Sequence, residues 1–283
     1  MNIESNSGIP VLMYHGLYDK NEKKNKLRCS PYHVTCDQFR QQMEYLTRHN
    51  YTSLSTHDLM GLLNHNEADW DFHTKRVIIT FDDGYADNFY YALPILTSCK
   101  LKAIFFVITD RINEPGYMSW QQLEHMVQAG MSIQSHTVTH RPLENLFLSE
   151  IEEELTRSKY ILEKGLGVQV DFLSLPHGSY PKNLNEVARK VDYVGCFTSK
   201  VGYFEVNSDR YQIRRLAIKK KINNQIFDKI MRHDSKCMNQ LIKKQKCKNI
   251  IKNIIGMQNY NRFYNLIIQS NRLWNNAVNS NQI

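Results

Sequence analysis

Short apolar runs alternate along the chain with segments whose apolar residues recur at helical spacing. The clearest runs cover residues 10–14, 76–81, 103–108, 131–135, 170–175, 193–198 and 212–218, and each predicts a buried β-strand. Helical spacing or capping signals lie between most of them, as in residues 35–50, 119–127 and 149–164. Strands that alternate with helices indicate parallel βαβ units, so the pattern predicts an α/β fold.

Polar clusters follow four of these predicted strands. They begin at His15, Asp82, His136 and Pro176. In a parallel barrel the carboxyl ends of all strands open onto one face, where such enzymes place their chemistry. The sequence therefore predicts a (β/α) barrel whose site is assembled from several strand ends.

The sequence Asp82-Asp83-Gly84 ends the strand predicted at residues 76–81. Aspartate and glycine are ordinary turn residues, so a solvated turn is one interpretation. The cluster S-H-T-V-T-H at residues 135–140 favours another. Two histidines and a carboxylate are usual ligands of a catalytic divalent metal that keeps positions open for water. We therefore interpret the chain as a metal-dependent hydrolase.

Charge divides the chain into two parts. The 283 residues are 42% hydrophobic and 23% charged, as in ordinary globular proteins. Residues 219–283 contain thirteen Lys and Arg and two Asp, which gives them a net charge of +11. The whole chain has a net charge of +8, so the net charge of residues 1–218 is −3. We predict a barrel over residues 1–218 and a basic, mainly helical C-terminal extension over 219–283. A helical cap on the barrel and a peripheral membrane-surface contact are two interpretations of this extension, and we favour the cap.

Cysteine usage and the N-terminus bear on location. The six cysteines form no C-x-x-C pair, which argues against a zinc ribbon or redox motif and favours free thiols. The first residues lack the basic and apolar regions of a secretory signal, and no run of about 18 apolar residues could cross a bilayer. We expect a cytoplasmic protein, peripheral to the inner face of the membrane if the extension binds there, with no nucleic-acid partner.

Three segments together resemble the polysaccharide deacetylases, the NodB homology domain of the carbohydrate esterases. They are T-F-D-D-G at residues 80–84, H-T-V-T-H at 136–140 and the loop around Pro176. The first two motifs in this order, each after a strand, are a specific signal, whereas either alone would be weak. The resemblance covers residues 10–218 and implies a distorted (β/α) barrel with fewer than eight complete units.

The resemblance also implies roles for individual residues. Asp83, His136 and His140 would hold the metal, zinc by preference with cobalt or nickel as alternatives, and Asp82 would be the general base. Histidines four residues apart can reach one ion from a single turn. Such an ion lowers the pKa of bound water to about 7 and polarises an acetyl carbonyl. The leaving amine then needs a proton from a general acid.

His15 is the predicted general acid. Most of the family carries this histidine in a Leu-x-x-His-like motif near the C-terminus, and His233 does not match it. The N-terminal L-M-Y-H at residues 12–15 does match, and it resembles the circularly permuted poly-N-acetylglucosamine deacetylases, in which this strand comes first. A buried structural histidine is the alternative.

The third motif departs from the family pattern. The family often reads Arg-x-Pro-Tyr-Gly, with the arginine orienting the base, whereas residues 174–178 read S-L-P-H-G. The predicted substrate loop consists of Pro176, His177, Gly178 and Tyr180, with the His177 N–H at the oxyanion-stabilising position. Arg215 could replace the missing cation or form a surface salt bridge, and we favour the second.

The predicted reaction removes the N-acetyl group from an N-acetylhexosamine unit. A glycan or a lipid-linked or nucleotide-linked sugar is the expected substrate, since an enzyme inside the cell reaches precursors more readily than a finished wall polymer. Four aromatic residues near strand ends could stack on a sugar, namely Tyr14, Tyr85, Trp120 and Tyr180. Two alternatives are a hydrolase of a non-sugar amide and a non-catalytic carbohydrate-binding relative, which would not need both Asp82 and Asp83.

Overall fold

The computed structural model describes residues 8–21, 30–64 and 74–255. Its strands are β1 (Val11–Tyr14), β2 (Leu17–Tyr18), β3 (Val34–Thr35), β4 (Thr52–Ser53), β5 (Arg76–Phe81), β6 (Ile104–Val107), β7 (Ser132–Ser135), β8 (Phe172–Ser174), β9 (Gly195–Val201) and β10 (Ile213–Ala217). Its helices are α1 (Cys36–Arg48), α2 (Thr56–Asn64), α3 (Leu93–Ser98), α4 (Trp120–Gln128), α5 (Leu148–Leu166), α6 (Leu184–Lys190), α7 (Asn224–Met231) and α8 (Ser235–Ile255).

Seven parallel strands close into a barrel in the order β1, β5, β6, β7, β8, β9, β10, with β1 pairing to both β5 and β10. In β1, Val11 lies opposite Ile78 and Leu12 lies opposite Leu216. Strand β4 lies outside this ring and pairs with the first residues of β5. The N-terminal strand therefore closes the barrel, and the predicted distorted (β/α) barrel is confirmed.

Alternate residues of β5 face two different layers. Phe81 packs edge-on against Phe39 of α1, with ring centroids 5.5 Å apart. Thr80 faces the interior instead, where its Oγ1 lies 3.4 Å from Nη1 of Arg215. Because both faces of such a strand are covered, it forms a continuous apolar run. The observed bounds of β5 agree with the predicted ones for this reason.

Local capping chemistry sets most helix starts. Thr35 caps α1 and Ser119 caps α4, as the sequence predicts. Helix α5 begins earlier than predicted, because the Glu150 carboxylate accepts a hydrogen bond from the Phe147 N–H at 2.8 Å. Ser149, the predicted cap, therefore lies inside the helix.

The chain divides into two compact units, Met1–Asp234 and Ser235–Ile283. Helix α7 belongs to the first unit and buries Phe227, Ile230 and Met231. The described part of the second unit is α8, whose 21 residues include six lysines and no acidic residue. The predicted domain boundary after residue 218 stays a prediction, and residues 256–283 lie outside the described ranges.

Two further sequence predictions concern cysteines and membrane spans. Five cysteines are free thiols, and Cys29 lies outside the described residues. Among the helices of the described residues, none has both the length and the apolar character that a membrane span requires.

Candidate active site

The three predicted metal ligands converge at the carboxyl end of the barrel. Oδ1 of Asp83 lies 3.4 Å from Nε2 of His136 and 3.4 Å from Nε2 of His140. One ligand atom from each side chain falls within 4.8 Å of the others. Zinc lies about 2.0–2.2 Å from histidine nitrogen and carboxylate oxygen ligands, so atoms at these separations could share one ion.

The His136 ring is fixed by its second nitrogen. Nδ1 lies 2.8 Å from the Ser174 carbonyl oxygen, which assigns the proton to Nδ1 and leaves the lone pair on Nε2. A second hydrogen bond of this kind is typical of metal-binding histidines. Strand β8, which pairs with β7, therefore orients the histidine that follows β7.

Left-handed backbone conformations direct the ligands. The φ angle is 77° at Asp83, 64° at Thr137 and 62° at His140. Positive φ is uncommon outside glycine, and such strain gathers at functional sites. Gly84 follows with φ +76°, and a Cβ there would lie 3.1 Å from the Val107 side chain. The end of β5 thus presents two adjacent carboxylates to a buried site, which contradicts a solvated turn.

Asp82 is held by Arg215, and the surface salt bridge predicted for this arginine is wrong. Arg215 is 1% exposed, and its Nη1 and Nη2 donate to the two Asp82 carboxylate oxygens, each over 2.8 Å. The Ser174 Oγ donates to Asp82 Oδ1 at 3.2 Å and accepts from Arg215 Nη2 at 2.9 Å. Bidentate pairing fixes geometry as well as charge. Arg215 therefore supplies a cation at the carboxylate, while the motif position holds Ser174.

The surroundings of Asp82 favour its charged form. Burial raises the pKa of this carboxyl, but the charge and hydrogen bonds of Arg215, with the charge of His136, lower its pKa overall. The Arg215 Nε donates to the Thr198 carbonyl at 2.9 Å, and its guanidinium lies 5.8 Å from the Phe106 ring centroid. The buried cation is thus compensated by protein acceptors.

The three ligand side chains titrate differently. Burial opposes the charge on Asp83, but the hydrogen bond with His136 and the nearby histidines lower its pKa. Burial and the charge of His136 lower the pKa of His140 to about 3. Burial also acts to lower the pKa of His136, but Asp82 and Asp83 raise it overall. Metal ligation needs a carboxylate and neutral imidazoles, so a bound ion would favour the neutral form of His136 with its proton on Nδ1.

His15 lies directly after β1, beside the carboxylates. Its pKa is lowered, chiefly by burial, while the charges of Asp83 and Asp82 act in the opposite direction. Its ring centroid lies 4.8 Å from that of Tyr32, and its carbonyl accepts from Asn88 Nδ2 at 2.8 Å. The buried Nδ1 has no hydrogen-bond partner within the part of the chain that the structure describes. Burial therefore favours the neutral form of His15, which would have to gain a proton before it could donate one.

The predicted substrate loop forms a 3₁₀ turn, Pro176–Gly178, after β8. The φ angle of His177 is 57°, and its ring centroid lies 4.6 Å from that of His140. Tyr180 lies elsewhere, since its hydroxyl hydrogen-bonds Asn185 and its N–H donates to Glu144 Oε1 at 2.9 Å. The loop therefore brings His177 to the ligand cluster, whereas the contacts of Tyr180 are with other residues.

The aromatic residues predicted to face a sugar occupy different environments. Burial raises the pKa of Tyr85, and the charge of Asp83 and a hydrogen bond between the two side chains act in the same direction. Tyr14 is fully buried and donates to the Gln42 Oε1 at 2.8 Å. Trp120 packs on Gly165, where a Cβ would lie 2.4 Å from its ring. Of these side chains, Tyr85 is the one in contact with the site.

Two residues near the site were not predicted. Glu154 is buried next to residues 136–140. The sequence indicates its burial, because Glu154 lies on the same helical face as the apolar residues Ile151 and Leu155. His33 packs against Tyr85 with ring centroids 5.4 Å apart, and burial with the charge of His15 lowers its pKa to about 4. It follows a polar loop without periodicity, so no pattern indicates it.

Similarity to known proteins agrees with this geometry. Residues 70–196 match the polysaccharide deacetylase family model. The Bacillus subtilis (strain 168) protein YxkH is 28% identical over 224 residues, which cover 79% of this chain and 76% of that protein. The poly-beta-1,6-N-acetyl-D-glucosamine N-deacetylase of Staphylococcus aureus (strain MSSA476) is 24% identical over 204 residues, covering 66% of this chain and 68% of that enzyme.

A solved structure is similar over most of the chain. The Streptococcus pyogenes deacetylase PplD, in complex with acetate, matches with a TM-score of 0.70 at 28% identity, covering 77% of this chain and 95% of that one. A parallel barrel with an aspartate and two histidines at its carboxyl end defines a deacetylase-type (β/α) barrel. The predicted resemblance to the polysaccharide deacetylases is confirmed by the family model over residues 70–196 and by the similarity to these relatives.

Proposed function

We propose that the chain is a divalent-metal-dependent deacetylase that hydrolyses the N-acetyl group of N-acetylhexosamine units in a glycan or glycan precursor. The observation that carries this proposal is the convergence of Asp83, His136 and His140 beside a separate carboxylate, Asp82, which Arg215 holds. A non-catalytic carbohydrate-binding protein has no need of a second, independently anchored acid.

The ligand set fits a catalytic metal. A carboxylate oxygen and two imidazole nitrogens lie within reach of one ion, and three protein ligands leave room for water and substrate. Zinc is the proposed ion, and cobalt or nickel would suit the same donors. When bound, the ion would supply Lewis acidity that activates water and polarises the acetyl carbonyl.

Asp82 is the proposed general base. Its two oxygens bond Arg215, so its orientation is fixed, and its lowered pKa keeps it ionised near neutral pH. An ionised carboxylate next to a ligand carboxylate can take a proton from the attacking water. The two adjacent side chains have different partners, since Asp82 bonds Arg215 and Asp83 contacts the two histidines.

His15 is the proposed general acid. After water attacks the acetyl carbon, breaking the C–N bond requires a proton on the leaving amine. His15 follows β1, which pairs directly with β5, the strand that ends at Asp82, and this position supports the proposed role. The His177 N–H is the proposed donor to the oxyanion, and the contact of its ring with His140 supports this role. Pro176 and Gly178 shape the turn.

The substrate class follows from relatives. The Staphylococcus aureus enzyme is named for poly-beta-1,6-N-acetyl-D-glucosamine, which supports an N-acetylhexosamine substrate. We include lipid-linked and nucleotide-linked sugars among the proposed substrates. We also propose a cytoplasmic location. Peripheral membrane contact through the six lysines of α8 also stays a prediction.

Metal content and acetate release test the proposal together. Wild-type protein should retain about one zinc, cobalt or nickel ion per chain by elemental analysis and release acetate from at least one N-acetylhexosamine in a panel of oligomeric, lipid-linked and nucleotide-linked compounds. His136→Ala should lose the metal. Asp82→Asn should keep it and lose acetate release, and His15→Ala should lower turnover at least about a hundredfold. Metal-loaded His136→Ala, or active Asp82→Asn, would contradict the assigned roles.

A further inference from the structure

Glu154 is a buried carboxylate that the proposed reaction does not use. It lies in α5 with 4% of its surface exposed. A buried charge is costly unless it is paired and hydrogen-bonded, so its partners indicate its role.

The partners of Glu154 all belong to one short segment. Its Oε2 accepts from the backbone N–H groups of Val138 at 2.8 Å and Thr139 at 2.9 Å. Its Oε1 accepts from the Thr139 hydroxyl at 2.5 Å and lies 3.5 Å from Arg141 Nη2. These residues lie between the two proposed ligand histidines or directly after the second.

This segment has a conformation that needs support. Thr137 and His140 both have left-handed backbones, and each such residue costs about 1–3 kcal/mol unless its surroundings impose the conformation. On one side, the N–H groups of Thr109 and Asp110 donate to the carbonyls of Thr137 and Val138, each at 3.2 Å. On the other side stands the Glu154 carboxylate.

We propose that Glu154 is a positioning residue that holds the 136–140 turn in its metal-binding conformation before an ion arrives. The inference rests on the proposed function, since it takes His136 and His140 as metal ligands. Removing Glu154 would free two backbone N–H groups and allow the strained turn to relax. The histidines would then have to be ordered by the metal itself, which weakens binding although no ligand is lost.

The experiment measures zinc affinity by competition with a chromophoric chelator, at a temperature where circular dichroism shows every variant folded. Glu154→Ala should bind zinc about 10–100-fold more weakly than wild type. Glu154→Gln should stay within about fivefold, because its amide oxygen can accept from both N–H groups and its NH₂ can donate to the Thr139 hydroxyl. Glu153→Ala, at the exposed neighbouring position, should match wild type.

A second control separates positioning from general stability. Leu162→Ala removes a fully buried side chain two turns further along α5 and should lower the melting temperature while leaving zinc affinity unchanged. Equal losses of affinity in Leu162→Ala and Glu154→Ala would overturn the inference, as would a Glu154→Ala affinity within about threefold of wild type. A wild-type protein that binds no zinc, cobalt or nickel would instead defeat the proposed ligand set, and the inference with it.

Discussion

Arg215 and Asp82 form an ion pair inside the barrel, and the pair reaches across strand β1 from β10 to β5. A buried pair of this kind adds little net stability, but removing one partner leaves an uncompensated charge. Its value here is geometric, because the planar guanidinium fixes both carboxylate oxygens at once. The pair holds the proposed base at a fixed orientation to the ligand cluster.

Arg215→Lys tests this orientation while keeping the positive charge. An ammonium cannot donate in parallel to both Asp82 oxygens, so we expect kcat to fall about a hundredfold with little change in metal content. Arg214→Lys, at the exposed neighbouring position of β10, is the matched control and should keep wild-type kcat. Steady-state kinetics and elemental analysis on both variants measure the effect. Wild-type kcat in Arg215→Lys would show that a cation alone suffices.

Asp87 is a half-buried carboxyl near the site, with a different character. Its Oδ1 accepts from the Leu17 N–H at 3.0 Å and from Asn88 Nδ2 at 2.8 Å. Burial raises its pKa to about 7 although these two hydrogen bonds lower it, and the charge of Asp83 adds a smaller increase. The folded protein therefore binds this proton more tightly than the unfolded chain does. Stability should fall as pH rises from about 4 to about 7 and remain reduced above that.

Asp87→Asn should remove this pH-dependent loss. The amide oxygen can accept the same two hydrogen bonds, and the side chain cannot ionise. In metal-free protein at about pH 8 we expect the variant to be more stable than wild type by about 1–4 kcal/mol, and nearly equal to it at about pH 4. Urea unfolding at both pH values measures this, with Asp110→Asn at an exposed carboxyl as control. A gain of the same size at both pH values would exclude ionisation as the cause.

Single residues differ in how far the sequence predicts them. Asp82, Asp83 and His136 directly follow strands, and His140 lies four residues after His136, so the strand order brings them together. Arg215 has an arginine neighbour, and the pattern does not indicate which of the two faces the interior. Glu154 is one of four glutamates within five positions, and only the packing of α5 on the barrel distinguishes it.

At the scale of elements, the turn Pro176–Gly178 joins β8 to the ligand cluster. Gly178 has φ +70°, and a Cβ there would lie 2.8 Å from Ser199 Cβ. A side chain at this position therefore meets both an unfavourable backbone conformation and a steric clash. The turn cannot relieve the clash without moving His177, its neighbour.

Gly178→Ala should lower kcat at least about tenfold by displacing the His177 N–H, the proposed oxyanion donor. Gly167→Ala is the matched control, because Gly167 has φ +65° but open space where a Cβ would be. It should cost about 1 kcal/mol of stability and leave kcat unchanged. Acetate-release kinetics and thermal unfolding of both variants separate the two effects. If Gly178→Ala and Gly167→Ala had the same kcat, the turn would have no role in the mechanism.

The sequence predicts the bounds of some elements better than those of others. Strand β5 is predicted fully, because an uninterrupted apolar run ends at charged residues. Strand β8 is shorter than its apolar run, since only Phe172–Ser174 find backbone partners on β7 and β9. A π-helical segment, Asn88–Ala92, directly precedes α3. Pairing and local helix type depend on neighbouring elements that the sequence pattern does not specify.

At the scale of the whole molecule, residues after 218 complete the packing of the first unit. Nε2 of Gln38 donates to the Ile222 carbonyl at 2.8 Å, and the Tyr51 hydroxyl donates to the Met231 carbonyl at 2.7 Å. The Tyr203 hydroxyl donates to the Ile230 carbonyl, also at 2.7 Å. The charge change that predicts a boundary at residue 218 therefore precedes the structural one after Asp234.

Two truncated chains distinguish these boundaries. A chain that ends at residue 234 keeps α7 and should unfold cooperatively, bind zinc and release acetate like the full chain. A chain that ends at residue 218 loses Phe227, Ile230 and Met231, each buried to at least 98%, and leaves their apolar partners open to water. Burying three such side chains contributes about 4–9 kcal/mol, comparable to the whole stability of many domains. We expect this shorter chain to aggregate or to unfold without a cooperative transition in circular dichroism, whereas a stable, zinc-binding 1–218 fragment would place the boundary where the charge changes.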